Sequence, residues 1–172
     1  LLHGVGLNQS IWAAQVTALE SDFQVITYDL LGHGRSAPVT ENAQLSNWVT
    51  QLNGVSHDLA LEKFSLVGFS FGGLIPQAYA TRQSQKIDRL VLRSTGYDRN
   101  ETERAGVLAR LDQAKLEGSQ ATIPAALSRW FSPEFSKVHL DTIHQYEVLL
   151  RSNDAASFLS AYECFARADQ EV

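Results

Sequence analysis

The sequence predicts an α/β fold, a mostly parallel sheet covered by helices and interrupted by an inserted helical cap. Three observations carry this. Short β-like runs alternate with helix-period stretches over residues 1–98, and strands joined by crossover helices lie parallel. After Asp98 the β signal stops, and 99–165 is helical in pattern, too long a block for an ordinary loop. Between a strand and a helix stands Gly68-x-Ser70-x-Gly72.

Leu1-Leu2 reads as the end of a strand. From Ser10 to Glu20, Trp12, Val16 and Leu19 share one helical face. Phe23 to Tyr28 (FQVITY) is the second expected strand. Leu45, Trp48, Val49, Leu52 and Val55 then mark an amphipathic helix. Phe64 to Val67 (FSLV) is the third strand, and a helix is expected from the glycine turn to Gln83. Pro76 lies inside that helix, removes an amide donor and is expected to displace or bend its first turns. Leu90 to Leu92 is the fourth strand.

In the cap, Glu101 to Glu117 reads as a helix with Leu108 and Leu111 on its apolar face and Gly118 as its stop. Ser132-Pro133 is a helix start, Ser as cap and Pro at the first helical position. Asp141 is a candidate cap for a helix carrying Ile143, Val148 and Leu150, and Asn153 or Asp154 for the last one. The expected division is 1–98 as the α/β core, 99–165 as the cap and 166–172 as the start of the return to the core. The chain opens at Leu1, contains no Met and stops where the cap hands back to the sheet. It is therefore expected to be a fragment truncated at both ends.

With 44% hydrophobic and 19% charged residues, the composition is that of a globular domain. A net charge of −5 without a basic cluster argues against nucleic acid as a partner, yet one or two arginines suffice for a small anionic substrate. No apolar run approaches the ~18 residues of a membrane span, and no signal-peptide pattern is visible. The single cysteine, Cys164, cannot form an internal disulfide, which fits a cytoplasmic location. Its helical pattern with Phe158, Tyr162 and Phe165 makes it a packed thiol rather than a nucleophile.

The chemistry sits in three motifs. In Gly68-Phe69-Ser70-Phe71-Gly72, a tight strand-to-helix turn would expose the Ser70 hydroxyl and aim a helix N-terminus at a reacting carbonyl. In His3-Gly4-Val5-Gly6, the Val5 amide is the candidate partner of the Phe71 amide in an oxyanion hole, while the His3 side chain holds its own loop. In Asp29-Leu30-Leu31-Gly32-His33-Gly34-Arg35-Ser36, Asp29 and His33 have the chemistry of an acid and a base. The favoured reading is structural: Asp29 accepts backbone or Arg35 hydrogen bonds, and the glycines take unusual dihedrals.

HGVG, YDLLGHGRS and GFSFGG, in this order and spacing, resemble the α/β-hydrolase superfamily. The cap segments Arg129-Trp130-Phe131-Ser132-Pro133-Glu134-Phe135, Tyr162-Glu163-Cys164 and Ala166 to Asp169 are similar to the 3-oxoadipate enol-lactonase branch. That resemblance implies an α/β-hydrolase fold and a cofactor-free serine hydrolase of a small carboxylic ester or enol-lactone, in aromatic degradation. Ser70 would be the nucleophile, Trp130 would line the pocket, and Arg129 would pair with a substrate carboxylate. The family's acid and histidine follow the cap, so the fragment itself is expected to be inactive. Asp98 is the one acid here in an alternative triad position, and His139 and His144 suit neither one helical face nor a metal pair. No metal site, P-loop or dinucleotide pattern is present. The alternatives are a ring-cleavage hydrolase that splits a carbon–carbon bond, and a ligand-sensing protein of the same fold. The oligomeric state stays open.

Overall fold

Phe64–Phe69 (β1) and Ile87–Arg93 (β2) pair in parallel, with Phe69 opposite Arg93 and an irregularity between Phe64 and Leu66. A computed structural model describes residues 1–168. On the other side of β1, Leu2 forms a parallel bridge to Gly68. The Leu2 amide donates to the Val67 carbonyl at 2.8 Å, and the Phe69 amide to the Leu2 carbonyl at 3.0 Å.

Phe23 to Tyr28, expected to be a strand, does not form one. Its β-prone residues need a neighbouring backbone to pair with. Among the described residues its backbone bonds are from the Leu1 nitrogen to the Ile26 carbonyl at 2.7 Å and from the Phe23 amide back to the Leu19 carbonyl at 2.9 Å, not a ladder. Between this segment and β1 runs a groove of about 760 Å³ lined by Leu2, Val25, Ile26, Leu66 and Val67, among others. No residue of the Ser70 turn borders it.

Helices cover the sheet. A 3-10 turn at Gln9–Trp12 leads into Ala13–Leu19 (α1). Leu45–Asp58 (α2) opens with a reciprocal cap between Gln44 and Asn47 and buries Leu45, Trp48, Leu52 and Ser56, one stripe at helical spacing. Phe71–Gln83 (α3) crosses from β1 to β2. It continues unbroken through Pro76. Pro76 is the sixth residue of α3 and falls beyond the first turn, so its missing N–H leaves the carbonyl of Gly72, four residues earlier, without its usual donor.

The helical block begins with Glu101–Glu117 (α4), where Asn100 and Glu103 cap each other at 2.9 and 3.0 Å and Gly118 ends the helix at φ 89°. Ile123–Trp130 (α5), Pro133–Val138 (α6), Leu140–Arg151 (α7) and Ala155–Arg167 (α8) follow. Ser132 caps α6 and Asp154 caps α8, each accepting a backbone amide. Asp141 does not cap α7. It lies within the first turn, and His139, the single residue between α6 and α7, holds the cap position without a side-chain bond.

The main core joins both parts of the chain. Trp48 of α2 meets Phe71 of α3 edge to face at 4.9 Å, and Phe165 of α8 approaches Phe71 at 6.4 Å. Phe158, Ala161 and Cys164 of α8 belong to the same buried cluster. On its other side, α8 packs Ala166 against Val107 and Leu111 of α4. Helix α8, which contains residue 165, thus packs against both layers, and residues 169–172 of the expected return to the core lie outside the described residues.

Candidate active site

Ser70 stands between β1 and α3 with φ 54° and ψ −122°, a left-handed conformation that costs a non-glycine residue ~1–3 kcal/mol. Two hydrogen bonds enforce it. The Ser70 amide donates to the Arg93 carbonyl of β2, and its carbonyl accepts from the Gly73 amide, both at 2.9 Å. The flanking glycines are needed for close approach. A Cβ at position 68 would lie 2.6 Å from the Gly73 Cα, and one at position 72 would lie 2.5 Å from the Leu2 carbonyl oxygen. The chain can turn from strand to helix at Ser70 only where these two residues lack side chains.

The Leu2 bridge sets the next loop against this turn: a Cβ on Gly4 would sit 3.1 Å from the Cβ of Ser70. The amide of Val5, one residue on, has no hydrogen-bond acceptor among the described residues. Phe71 heads α3, where first-turn amides have no acceptor within the helix, and its fully buried ring pins that helix end. The loop is held from behind. Both His3 and His33 are buried, and burial is the main cause that pulls both imidazoles below their usual range, His3 to about 3. The Asn153 side chain donates to the Gly6 carbonyl at 2.8 Å.

Asp29 and His33 take the structural role. Asp29 accepts the Gln9 amide at 2.8 Å and the Arg35 amide at 2.9 Å, while Gly32 and Gly34 adopt positive φ. Neither makes a hydrogen bond to Ser70. Nor does any other carboxylate or histidine among the described residues: His57 is exposed and paired with Asp58, His139 stacks on Phe135, and Asp98 lies in the exposed loop after β2. Cys164 is a buried thiol of the core.

Above Val5, the helical block closes a pocket whose walls include Val5, Trp130, Arg129, Leu150 and Phe158. Trp130 is 43% exposed, so it forms the rim rather than the floor. Two polar wall residues, Arg110 and Gln113 of α4, are not evident from motif reading. The signal for Arg110 is its place on the buried stripe of Val107, Leu111 and Ala114, where a charge is out of pattern. Among the described residues no helix is long and apolar enough to cross a membrane, and no cluster of metal-ligating side chains occurs.

A parallel sheet with a strained serine at the strand-to-helix turn, under a helical cap, defines a class of protein, and the chain's relatives agree with it. The family described as alpha/beta hydrolase fold matches residues 1–167, and the chain belongs to that family. It is 27% identical over 169 residues to (E)-2-((N-methylformamido)methylene)succinate hydrolase of Acinetobacter baylyi, spanning 98% of this chain and 63% of that protein. It is 28% identical to 3-oxoadipate enol-lactonase 1 of the same organism, over 97% of this chain and 62% of that one. The crystal structure of the enol-lactonase from Burkholderia xenovorans LB400 superposes with a TM-score of 0.87 at 27% identity, covering 98% of this chain and 64% of that one. The chain thus spans less than two thirds of the length of these relatives.

Proposed function

We propose that the chain carries the nucleophile, the oxyanion hole and part of the substrate pocket of a serine hydrolase acting on a small carboxylic ester or enol-lactone. Ser70 attacks the carbonyl, and the Val5 and Phe71 amides hold the developing oxyanion. Water then releases the acyl group. Trp130 supplies the apolar rim, and Arg129 faces a substrate carboxylate. The observation that carries this reading is Ser70 at φ 54° against Gly4, the residue before Val5, whose amide has no acceptor among the described residues. Strain of this kind persists where the surroundings enforce it and clusters at reacting residues. The enol-lactonase among the relatives supports this substrate class.

The test is hydrolysis of 3-oxoadipate enol-lactone and of p-nitrophenyl acetate by the complete protein, with and without Ser70→Ala. The expected result is turnover that falls by a factor of ~10⁴ or more in the variant. Turnover that survives Ser70→Ala would reject Ser70 as nucleophile.

A further inference from the structure

The loop that carries the Val5 amide is a closed turn. The Leu7 amide donates to the Gly4 carbonyl at 3.2 Å, which leaves Val5 and Gly6 at its centre, with Gly6 at φ 76°. Both polar groups of Gly6 are taken from opposite sides. Its amide donates to Nε2 of His33 at 3.0 Å, and its carbonyl accepts from Nδ2 of Asn153 at 2.8 Å, the one donor that reaches it among the described residues. Asn153 belongs to the helical block, between the end of α7 and Asp154, which caps α8. The same Nδ2 reaches the Leu150 carbonyl at 3.0 Å and the Leu149 carbonyl at 3.2 Å, in the last turn, where helix carbonyls run out of amide donors. The end of α7 thus aims the side chain at the turn. Leu150 and Phe158 press on the same residue: a Cβ on Gly6 would lie 2.9 Å from Cδ2 of Leu150 and 3.0 Å from Cε2 of Phe158. Both also line the pocket that Val5 borders.

We propose that Asn153 is a positioning residue that couples the junction of α7 and α8 to the Gly4–Leu7 turn, so that the seating of the helical block sets where the Val5 amide points. This rests on reading Ser70 as the nucleophile and Val5 as an oxyanion donor. Such a donor is effective only if it already stands ~2.7–3.1 Å from the place where the oxyanion forms. The Val5 amide has no acceptor of its own to fix it, so its direction is set by the groups that hold its neighbours. His33 holds the turn to the core, and Asn153 holds it to the helical block. Loss of the Asn153 bond frees one side of the turn. The Ser70 backbone, bonded to Arg93 and Gly73, is untouched by it. The loss therefore falls on the transition state rather than on substrate binding.

The experiment sets Asn153→Leu against the parent in the complete protein, by steady-state hydrolysis of p-nitrophenyl acetate and by NMR relaxation of the Val5 and Gly6 amides. The kcat should fall about tenfold or more, with KM within about twofold of the parent. The order parameters of Val5 and Gly6 should drop from about 0.85 towards 0.6, with that of Phe71 unchanged. Asn153→Gln, which keeps the N–H donors on a longer stem, should restore part of kcat. Ser157→Ala cuts the bond from the Val39 amide to α8 and controls for general loosening; it should lower the melting temperature and leave kcat unchanged. If circular dichroism shows that Asn153→Leu does not fold, Asn153→Asp, equal in size and without the N–H donors, carries the test. An unchanged kcat, a loss confined to KM, an unchanged Val5 order parameter, or an equal fall in Ser157→Ala would overturn the proposal. Ser70-dependent hydrolysis that Asn153→Leu leaves intact would strike this proposal alone. A loosened Val5 in a protein without Ser70-dependent hydrolysis would strike the hydrolase reading and leave the coupling standing.

Discussion

His3 and His33 stand edge to face with ring centroids 5.2 Å apart, and each imidazole accepts a main-chain amide from the loop that carries the other. Nε2 of His3 takes the Leu30 amide at 2.9 Å, and Nε2 of His33 takes the Gly6 amide at 3.0 Å. Each Nδ1 donates in turn to a carbonyl, of Gly4 at 2.8 Å and of Leu31 at 3.0 Å. Both rings must therefore be neutral and in one tautomer. Protonating either Nε2 would break the bond that joins the two loops behind Val5.

This lock makes stability depend on pH. Burial first, then the His33 charge, lowers His3 from its unfolded value of 6.5 to about 3, and burial lowers His33 as well. Between those limits the unfolded chain binds more protons, so stability rises with pH. The contribution is complete above about pH 6.5 and is lost as pH falls towards 3. His33→Leu should cost ~1–3 kcal/mol at pH 7, because the Gly6 amide loses its acceptor. The gap from the parent should narrow as urea melts are repeated down to pH 4. A gap that does not change with pH would remove the neutral-lock explanation.

Strain at Ser70 can be read from two variants. Ser70→Ala keeps the unfavourable φ, whereas Ser70→Gly relieves it at some cost in unfolded-chain entropy. The glycine variant should be the more stable by ~1 kcal/mol in urea unfolding. Equal stability would mean that the turn is not strained.

The glycines on either side should not tolerate a methyl group. Gly68→Ala and Gly72→Ala press on backbone atoms of α3 and of the Leu2–His3 segment, which cannot swing aside as a side chain does. Each should cost ~3 kcal/mol or more, or abolish soluble folding, as read by thermal melts. Gly54, with open space around it, is the control.

The 172-residue polypeptide alone should not show Ser70-dependent esterase activity. Its serine hydroxyl has no base among the described residues, and an unassisted hydroxyl is a weak nucleophile at neutral pH. Release of p-nitrophenol by this polypeptide should be the same with and without Ser70→Ala. A difference between the two would reveal a base that the geometry does not.

The Ser70 turn, α2 and α4 were legible in the sequence because their signals are local. Strand, glycine turn and helix lie within twenty residues of one another, and α4 announces both ends through Asn100 with Glu103 and through Gly118. Phe23 to Tyr28 has the composition of a strand, and among the described residues no strand pairs with it. Helix α5 carries Ile123, Ala126, Leu127 and Trp130 at helical spacing, but its eight residues are shorter than the window over which such periodicity separates from a short apolar run. Arg110 is not legible as a pocket residue in the sequence, because Tyr162, which its Nε reaches, and the other pocket walls lie in separate helices that meet it only in the fold.

The bond from Asn153 to Gly6 spans 147 residues of chain, and those joining Ser157 to Val39 and Ser160 to Ala43 span 118 and 117. During synthesis at ~5–20 residues per second, the loop holding Val5 therefore emerges on the order of ten seconds before the side chain that secures it. In that interval β1, α3 and β2 can already meet through near-sequence contacts, while the Gly4–Gly6 loop waits for its far-sequence tether. The serine turn is an early product of translation, and the loop beside it is secured only once Asn153 has emerged.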